Sequence, residues 1–226
     1  MKIELLDETD STNEYIRRYL AGGEDILVCA RRQTGGKGTK GRSFLSDEGG
    51  VYFSALRFFA DFPARDAFCI MQHAAVAVCL TAEEYGVTAR IKWPNDVLVN
   101  GKKLAGILIE NVFAGAKITS SIVGIGLNAC NDLSALDGVA VSLSEAAGRT
   151  ISADDARDRL VKNFCDTGLA QSTKLYESRL LLGRFNVVTA EEHYPATVRR
   201  VLPDGRLEVE KDGEPRILSA AEVSLR

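Results

Sequence analysis

Apolar and polar positions along the chain change period several times, and each change marks an element. Residues 3–6 form a short strand-like run, after which Asp10-Ser11-Thr12-Asn13-Glu14 reads as a helix start. Ser11 and Glu14 there have the spacing of a capping box, and Tyr15, Ile16, Tyr19 and Leu20 give one apolar side. Gly22-Gly23 closes that helix, and residues 26–30 are a compact run of the buried-strand type. A polar, glycine-rich loop from Gln33 to about Gly50 follows, and a strand resumes over residues 51–58. Residues 64–85 predict a long buried helix, stopped by Gly86. From 89 to 128 the pattern is β: residues 90–93, 97–99, 103–112 and 118–127, with Asn100-Gly101 between two of the runs as a hairpin turn. Residues 154–182 are expected to be helical, with Leu160, Val161, Phe164, Leu169, Leu175 and residues 180–182 as core positions. Beyond Gly183 short strands are punctuated by Pro203-Asp204-Gly205 and Asp212-Gly213, the rhythm of a small barrel. The pattern implies a largely antiparallel central sheet backed by helices over 1–183, and a separate β unit over 184–226.

Composition narrows the class of protein. With 226 residues, 46% hydrophobic and 26% charged, the chain is long enough for one medium domain with a small appendage and too apolar for disorder. A net charge of −3 supplies no broad basic field for nucleic acid. The five cysteines, Cys29, Cys69, Cys79, Cys130 and Cys165, form no CxxC pair and read as small buried hydrophobes of a reducing compartment. The longest apolar tract, about residues 67–80, is interrupted by Gln72 and His73 and falls short of the ~20 residues of a membrane span. With no secretory leader pattern, a cytoplasmic protein is expected. His73, in an apolar helix, and His193, in a loop, read as structural.

Four segments carry candidate chemistry. Asp10-Ser11-Thr12-Asn13 is a helix cap, and its hydroxyl and amide groups also suit a small neutral polar ligand. Gln33-Thr34-Gly35-Gly36-Lys37-Gly38-Thr39-Lys40-Gly41-Arg42-Ser43-Phe44 sets cations beside glycines, an arrangement suited to an anion as well as to a solvated basic loop. It contains a formal GxGxxG but opens no helix, which excludes a dinucleotide-binding reading. Arg42 and Ser43 after Gly41 exclude a Walker A loop. Lys92-Trp93-Pro94-Asn95-Asp96 is a turn between two strands whose five unlike residues exceed what a turn needs. Asp96 there suits a metal ion or a lysine partner, and Asn95 a phosphate or ribose. Finally, Lys102-Lys103-Leu104-Ala105-Gly106-Ile107-Leu108-Ile109-Glu110 and Val123-Gly124-Ile125-Gly126-Leu127-Asn128 place Lys103 at the start of a strand. Gly106, Gly124 and Gly126 lie where absent side chains make room for a flat ligand.

In this order, and with a small β unit ending Glu222-Val223-Ser224-Leu225-Arg226, these segments resemble the biotin–protein ligases along nearly the whole chain. The resemblance implies an α+β fold: a class II synthetase-like mixed, mainly antiparallel sheet with helices, capped by a C-terminal SH3-like barrel. It implies that ATP activates biotin to biotinyl-5′-AMP, with Mg²⁺ assisting, and that biotin then passes to a lysine of a biotin carboxyl carrier protein or domain. Lys103, Arg42, Lys37 and Asp96 become the expected catalytic groups. Ser11, Thr12, Asn13, Gln33, Gly36, Lys37, Gly38, Lys103, Gly106, Gly124 and Gly126 become the biotin site. Arg42, Phe44, Lys92, Asn95 and Asn128 become the nucleotide site, with Asp96 as metal ligand. A lipoate or octanoate ligase or transferase on the same fold is the alternative, and a non-catalytic biotin-binding regulator a further one. The first motif begins at Asp10, which leaves no room for a DNA-binding helix-turn-helix, so DNA is not an expected partner, nor, with the longest apolar tract too short to span it, is a membrane. A homodimer is allowed. The family loop usually reads GRGRxGR, whereas Lys37 and Thr39 stand at its first two arginine positions here and Phe44 replaces a tryptophan. Lysine does not reproduce an arginine fork and threonine brings no charge, so a less tightly held adenylate is expected.

Overall fold

The structure, a computed structural model, describes residues 2–189, 192–220 and 224–225; of the expected C-terminal ending, Glu222, Val223 and Arg226 lie outside the described residues. The larger sheet has seven strands, β1 (Lys2–Thr9), β2 (Ile26–Gln33), β3 (Gly50–Pro63), β4 (Arg90–Lys92), β5 (Asp96–Val99), β6 (Lys102–Ala114) and β7 (Lys117–Asn128), in the order β1-β2-β3-β7-β6-β5-β4. All neighbours are antiparallel except β1 and β2, which run parallel. A parallel pair needs a crossover rather than a hairpin, and α1 (Thr12–Ile16) provides it. The β5–β6 turn follows its sequence signal: Asn100 and Gly101 both take positive φ, 50° and 79°.

The sheet is covered unequally. On one face α2 (Phe68–Glu83), α4 (Ala153–Asp166) and α5 (Leu169–Arg179) bury Phe53, Val123, Ile125 and Phe164 in the main core, while α3 (Leu143–Ala147) is a single capped turn beyond β7. On the other face Ile16, Ile26, Val28, Leu56 and Ile122 form a small core beneath α1. Residues 74–79 of α2 are wholly inaccessible, as their unbroken apolar run demands. β8 (Gly183–Val188), β9 (His193–Val201), β10 (Leu207–Lys211), β11 (Glu214–Leu218) and β12 (Ser224–Leu225) form a five-stranded antiparallel sheet in the order β11-β10-β9-β8-β12. The α+β class, the mainly antiparallel sheet and the SH3-like C-terminal unit are as expected.

Four local expectations change. The long helix expected over 154–182 breaks at Thr167 and Gly168, both extended, so that α4 and α5 each pack on α2. Residues 180–182 leave the helix: the Leu181 N–H donates to the Ile91 carbonyl, protecting the edge strand β4, and Leu182 is exposed. Only Cys29 and Cys79 are buried, where desolvation pushes both thiols up to about 12, while Cys130 and Cys165 are exposed. His193 begins β9 rather than lying in a loop, whereas buried His73, 3.1 Å from Ser172 Oγ, is structural as expected.

Candidate functional site

Ser11 stands at the N-cap of α1 with an extended backbone, but its hydroxyl caps nothing. The orphan donors of the helix start are taken by others: Asp10 Oδ1 accepts from the Ser11 N–H at 2.6 Å and Gln33 Oε1 from the Thr12 N–H at 2.8 Å. Glu14, expected to complete a capping box, pairs instead with Lys37 at 2.7 Å and Arg17 at 3.3 Å. Hydrogen bonding from Lys37 is the main cause that lowers the Glu14 pKa. The consequence is a buried Ser11 hydroxyl left free for a ligand.

Polar groups on the α1 face of the sheet lock one another. The Thr12 hydroxyl donates to Gln33 Oε1, and Gln33 Nε2 donates to Ser46, which donates to the Phe44 carbonyl. Fully buried Ser54 lies 2.8 Å from Thr12 Oγ1 and 2.6 Å from Asn13 Oδ1, and the Asn13 amide donates to Glu110 at 2.9 Å. Strand alternation sets this face: Gly106, Leu108 and Glu110 on β6 lie opposite Gly126, Gly124 and Ile122 on β7.

Above this network lies a cleft of about 160 Å³, lined by Ser11, Thr12, Asn13, Gln33, Lys37, Gly38, Arg42, Phe44, Asn95, Lys103, Gly106, Gly124 and Gly126, all expected from the sequence. Thr39, Ser43, Phe53, Ile107, Leu108 and Ile125 complete the wall. A larger cavity, about 270 Å³, opens between β1, β2 and the start of α4. Arg31 and Arg157 both engage Asp154 there, so its cations are already partnered, and it holds none of the expected residues.

At one end of the cleft cations outnumber anions. Lys103 Nζ lies 2.6 Å from Asp96 Oδ1, off the hydrogen-bonding direction, so that this buried oxygen has no directed donor. Burial lowers the Lys92 pKa, and Lys103 and Arg42 add to that against the pull of Asp96. Three cations thus share one carboxylate, a charge balance that suits an anion. Arg42 is folded back, its Nε 3.3 Å from the Thr39 carbonyl and its Nη2 3.2 Å from the Thr39 hydroxyl.

Several expected site residues also make contacts within the protein. The strand glycines line the cleft, and part of the space they leave is taken: a Cβ at Gly124 would come within 2.3 Å of Asn13 Oδ1, and one at Gly126 within 2.6 Å of the Phe44 ring. Their missing side chains admit the protein's own Asn13 and Phe44. Gly36 is a turn residue packed on Ser46 and the Phe44 carbonyl. Asn128 lies beneath the cleft, its amide 3.3 Å from the Lys103 carbonyl. Lys92 and Asp96 stand behind Lys103 rather than in the wall. No group of three His, Cys, Asp or Glu side chains that could hold a metal occurs among the described residues. Asp96, already facing Lys103, offers a metal one carboxylate at most, so the protein's own groups do not fit a metal held by them alone.

Ser46, Ser54 and Glu110 are the residues the sequence reading missed. Ser54 had a signal, a hydroxyl in the middle of an otherwise apolar strand, and Glu110 shares the alternating face of Gly106 and Leu108.

Residues 5–128 match the model of the biotin/lipoate A/B protein ligase family, a span that includes all the segments carrying candidate chemistry. The bifunctional ligase/repressor BirA of Bacillus subtilis is 41% identical over 133 residues, which are 57% of this chain and 41% of the relative. The chain therefore matches less than half the length of that relative. The biotin–[acetyl-CoA-carboxylase] ligase of Paracoccus denitrificans is 32% identical over 173 residues, 71% of this chain and 70% of the relative. Among solved structures, the biotin protein ligase of Aquifex aeolicus in complex with biotin and ATP superposes with a TM-score of 0.77 at 25% identity, covering 100% of this chain and 98% of that one.

Proposed function

The chain belongs to the biotin/lipoate A/B protein ligase family, and on that premise we propose that it is a biotin–protein ligase. One observation supports this reading above the others: the cleft is divided by polarity. Ser11, Thr12, Asn13 and Gln33 are neutral hydrogen-bonding groups at one end, suited to a ureido ring, and Lys103 and Arg42 are cations toward the other, while Lys37 stays tied to Glu14 of α1. An acyl chain without the ring would leave the free Ser11 hydroxyl without a partner.

In the first half-reaction a biotin carboxylate oxygen attacks the α-phosphorus of ATP and expels pyrophosphate, giving biotinyl-5′-AMP. Two anions must meet, and Lys103 and Arg42 offset their repulsion and stabilise the charge that gathers in the transition state. Lys92 adds positive potential from behind, and Asp96 holds the Lys103 ammonium in place until the substrate anions arrive. Lys37 is engaged by Glu14 until an anion competes for it. Phe44, lying across Gly126 and Gly106, offers its ring to the adenine. Asn95 contributes to the nucleotide side, and Asn128 acts through the Lys103 main chain. A magnesium ion would have to be held chiefly by the nucleotide, with Asp96 as the one nearby carboxylate, and would supply further charge neutralisation. In the second half-reaction a lysine amine of a biotin carboxyl carrier domain attacks the acyl carbon and AMP leaves.

In this reading residues 1–183 are the catalytic domain and 184–226 an SH3-like unit. The cytoplasm, which keeps exposed thiols such as Cys130 and Cys165 reduced, is the compartment in this reading. No helix among the described residues is long and apolar enough to cross a membrane. Offering the purified protein ATP, Mg²⁺, a carrier domain and labelled biotin, lipoate or octanoate tests the assignment. Label on the carrier lysine from biotin alone is expected, and preferential transfer of lipoate or octanoate would replace the reading with the acyl-ligase one.

A further inference from the structure

The two sheets are joined by a buried hydrogen bond: Trp93, 2% exposed, donates its Nε1–H to the Gly205 carbonyl at 2.9 Å. Gly205 closes the turn between β9 and β10, its N–H 2.8 Å from the Leu202 carbonyl, while Asp204 Oδ1 accepts from the Arg206 N–H at 3.1 Å. Its φ of +86° favours glycine, and a Cβ there would lie 2.6 Å from the Phe68 ring. Phe68 packs edge-on against Tyr176, 5.7 Å away at 83°. The turn is thus clamped between α2 and the indole, and the carbonyl it presents is fixed in position.

Trp93 also begins the three-residue turn between β4 and β5, where Lys92 and Asp96 are register partners. The inner side of that turn is pinned to β6 by the Asn95 amide, 3.0 Å from the Ile107 carbonyl, and by the Ile107 N–H, 3.0 Å from the Asn95 carbonyl. On the outer side the indole N–H is the polar tie. A ring alone could settle in several orientations, but one buried donor with one acceptor allows a single one.

We propose that Trp93 is a positioning residue: the Gly205 carbonyl of the C-terminal sheet holds the indole, and the indole sets Lys92, Asn95 and Asp96 against Lys103 at the anionic end of the cleft. This rests on the ligase reading. The C-terminal sheet then acts on nucleotide chemistry without lining the cleft. Recognition of the ureido ring, carried by α1 and β2, stays outside its influence.

The test is Trp93→Phe, which keeps an aromatic ring and removes the donor, with Gly205→Ala as an independent route to the same loss. In biotin-dependent ATP–pyrophosphate exchange, kcat should fall and the KM for ATP rise, together about tenfold or more in kcat/KM, while the dissociation constant for biotin is unchanged. The double variant should be no worse than the worse single one, since both break one tie. Amide hydrogen exchange, which needs no activity, should quicken over residues 92–96 in each variant and stay at the wild-type rate over residues 11–16 and 26–33. Unchanged exchange over 92–96 in both variants, equal losses for biotin and ATP, or additive effects in the double variant would overturn the proposal. A wild-type protein without pyrophosphate exchange whose variants still loosen 92–96 would instead remove the ligase reading and leave the tie as the setter of that turn.

Discussion

Replacing Lys103 with alanine should nearly abolish adenylate formation while leaving the fold intact. The Lys103 ammonium sits 2.6 Å from Asp96 and its side chain, 35% exposed, runs over Gly106, so truncation opens space at the cleft and not in the core. Loss of a partly exposed ion pair costs about 0–1 kcal/mol, which for a protein of this size lowers Tm by at most roughly 2–4 °C. The catalytic loss is much larger. A unit charge about 4 Å from the charge gathering at the α-phosphorus contributes about 4 kcal/mol at an effective dielectric constant of ~20. Removal of one preorganised donor typically costs about 10²–10³ in kcat. A drop of that size in biotin-dependent ATP–pyrophosphate exchange at saturating substrates is expected, with Lys103→Arg intermediate because the charge stays and its geometry changes. Exchange by Lys103→Ala within about threefold of wild type, a difference of only ~0.65 kcal/mol, would show that Lys103 is not the group that gathers the anions.

Gly126→Ala drives a methyl group to 2.6 Å from the Phe44 ring, so it should destabilise the protein by about 1–3 kcal/mol and weaken ATP, with Phe44→Ala restoring the stability; equal urea midpoints for Gly126→Ala and wild type would contradict this. Burial, aided by Arg57, lowers the His73 pKa from 6.5 to about 4. Below pH 6.5 the unfolded chain takes up the proton first, so stability is full above that value and falls by roughly 3 kcal/mol as pH drops toward 4. His73→Gln should flatten this part of the urea-stability profile, and an unaltered profile would count against the assignment. Thr39→Arg should slow the release of biotinyl-adenylate, and a wild-type release already as slow as in the variant would refute the idea of a loosely held intermediate.

Much of the cleft was legible because its residues sit at places where local rules leave something over. Five unlike residues at 92–96 exceed a turn's needs, cations cluster beside glycines at 36–42, and strand glycines interrupt apolar runs. What the sequence concealed was who uses those features. Alternation places Gly124 and Gly126 on the cleft face, but only the packed chain shows that Asn13 and Phe44 occupy the space they leave. The Ser11–Glu14 spacing is a sound capping signal, overridden because Gln33, 21 residues away, satisfies the helix donor and Lys37 draws Glu14 off. Ser54 and Glu110 act through contacts 41 and 97 residues away, which no local period reports. The break at Thr167-Gly168 is similar, since the apolar spacing runs on while packing against α2 calls for two helices.

The most direct test of the account is biotin-dependent exchange of labelled pyrophosphate into ATP by the wild-type protein with Mg²⁺. Exchange that requires biotin and is not supported by lipoate or octanoate is the predicted result. No exchange with biotin, under conditions where the protein is folded and binds both biotin and ATP, would contradict the claim that the cations around Lys103 join a carboxylate to the α-phosphate.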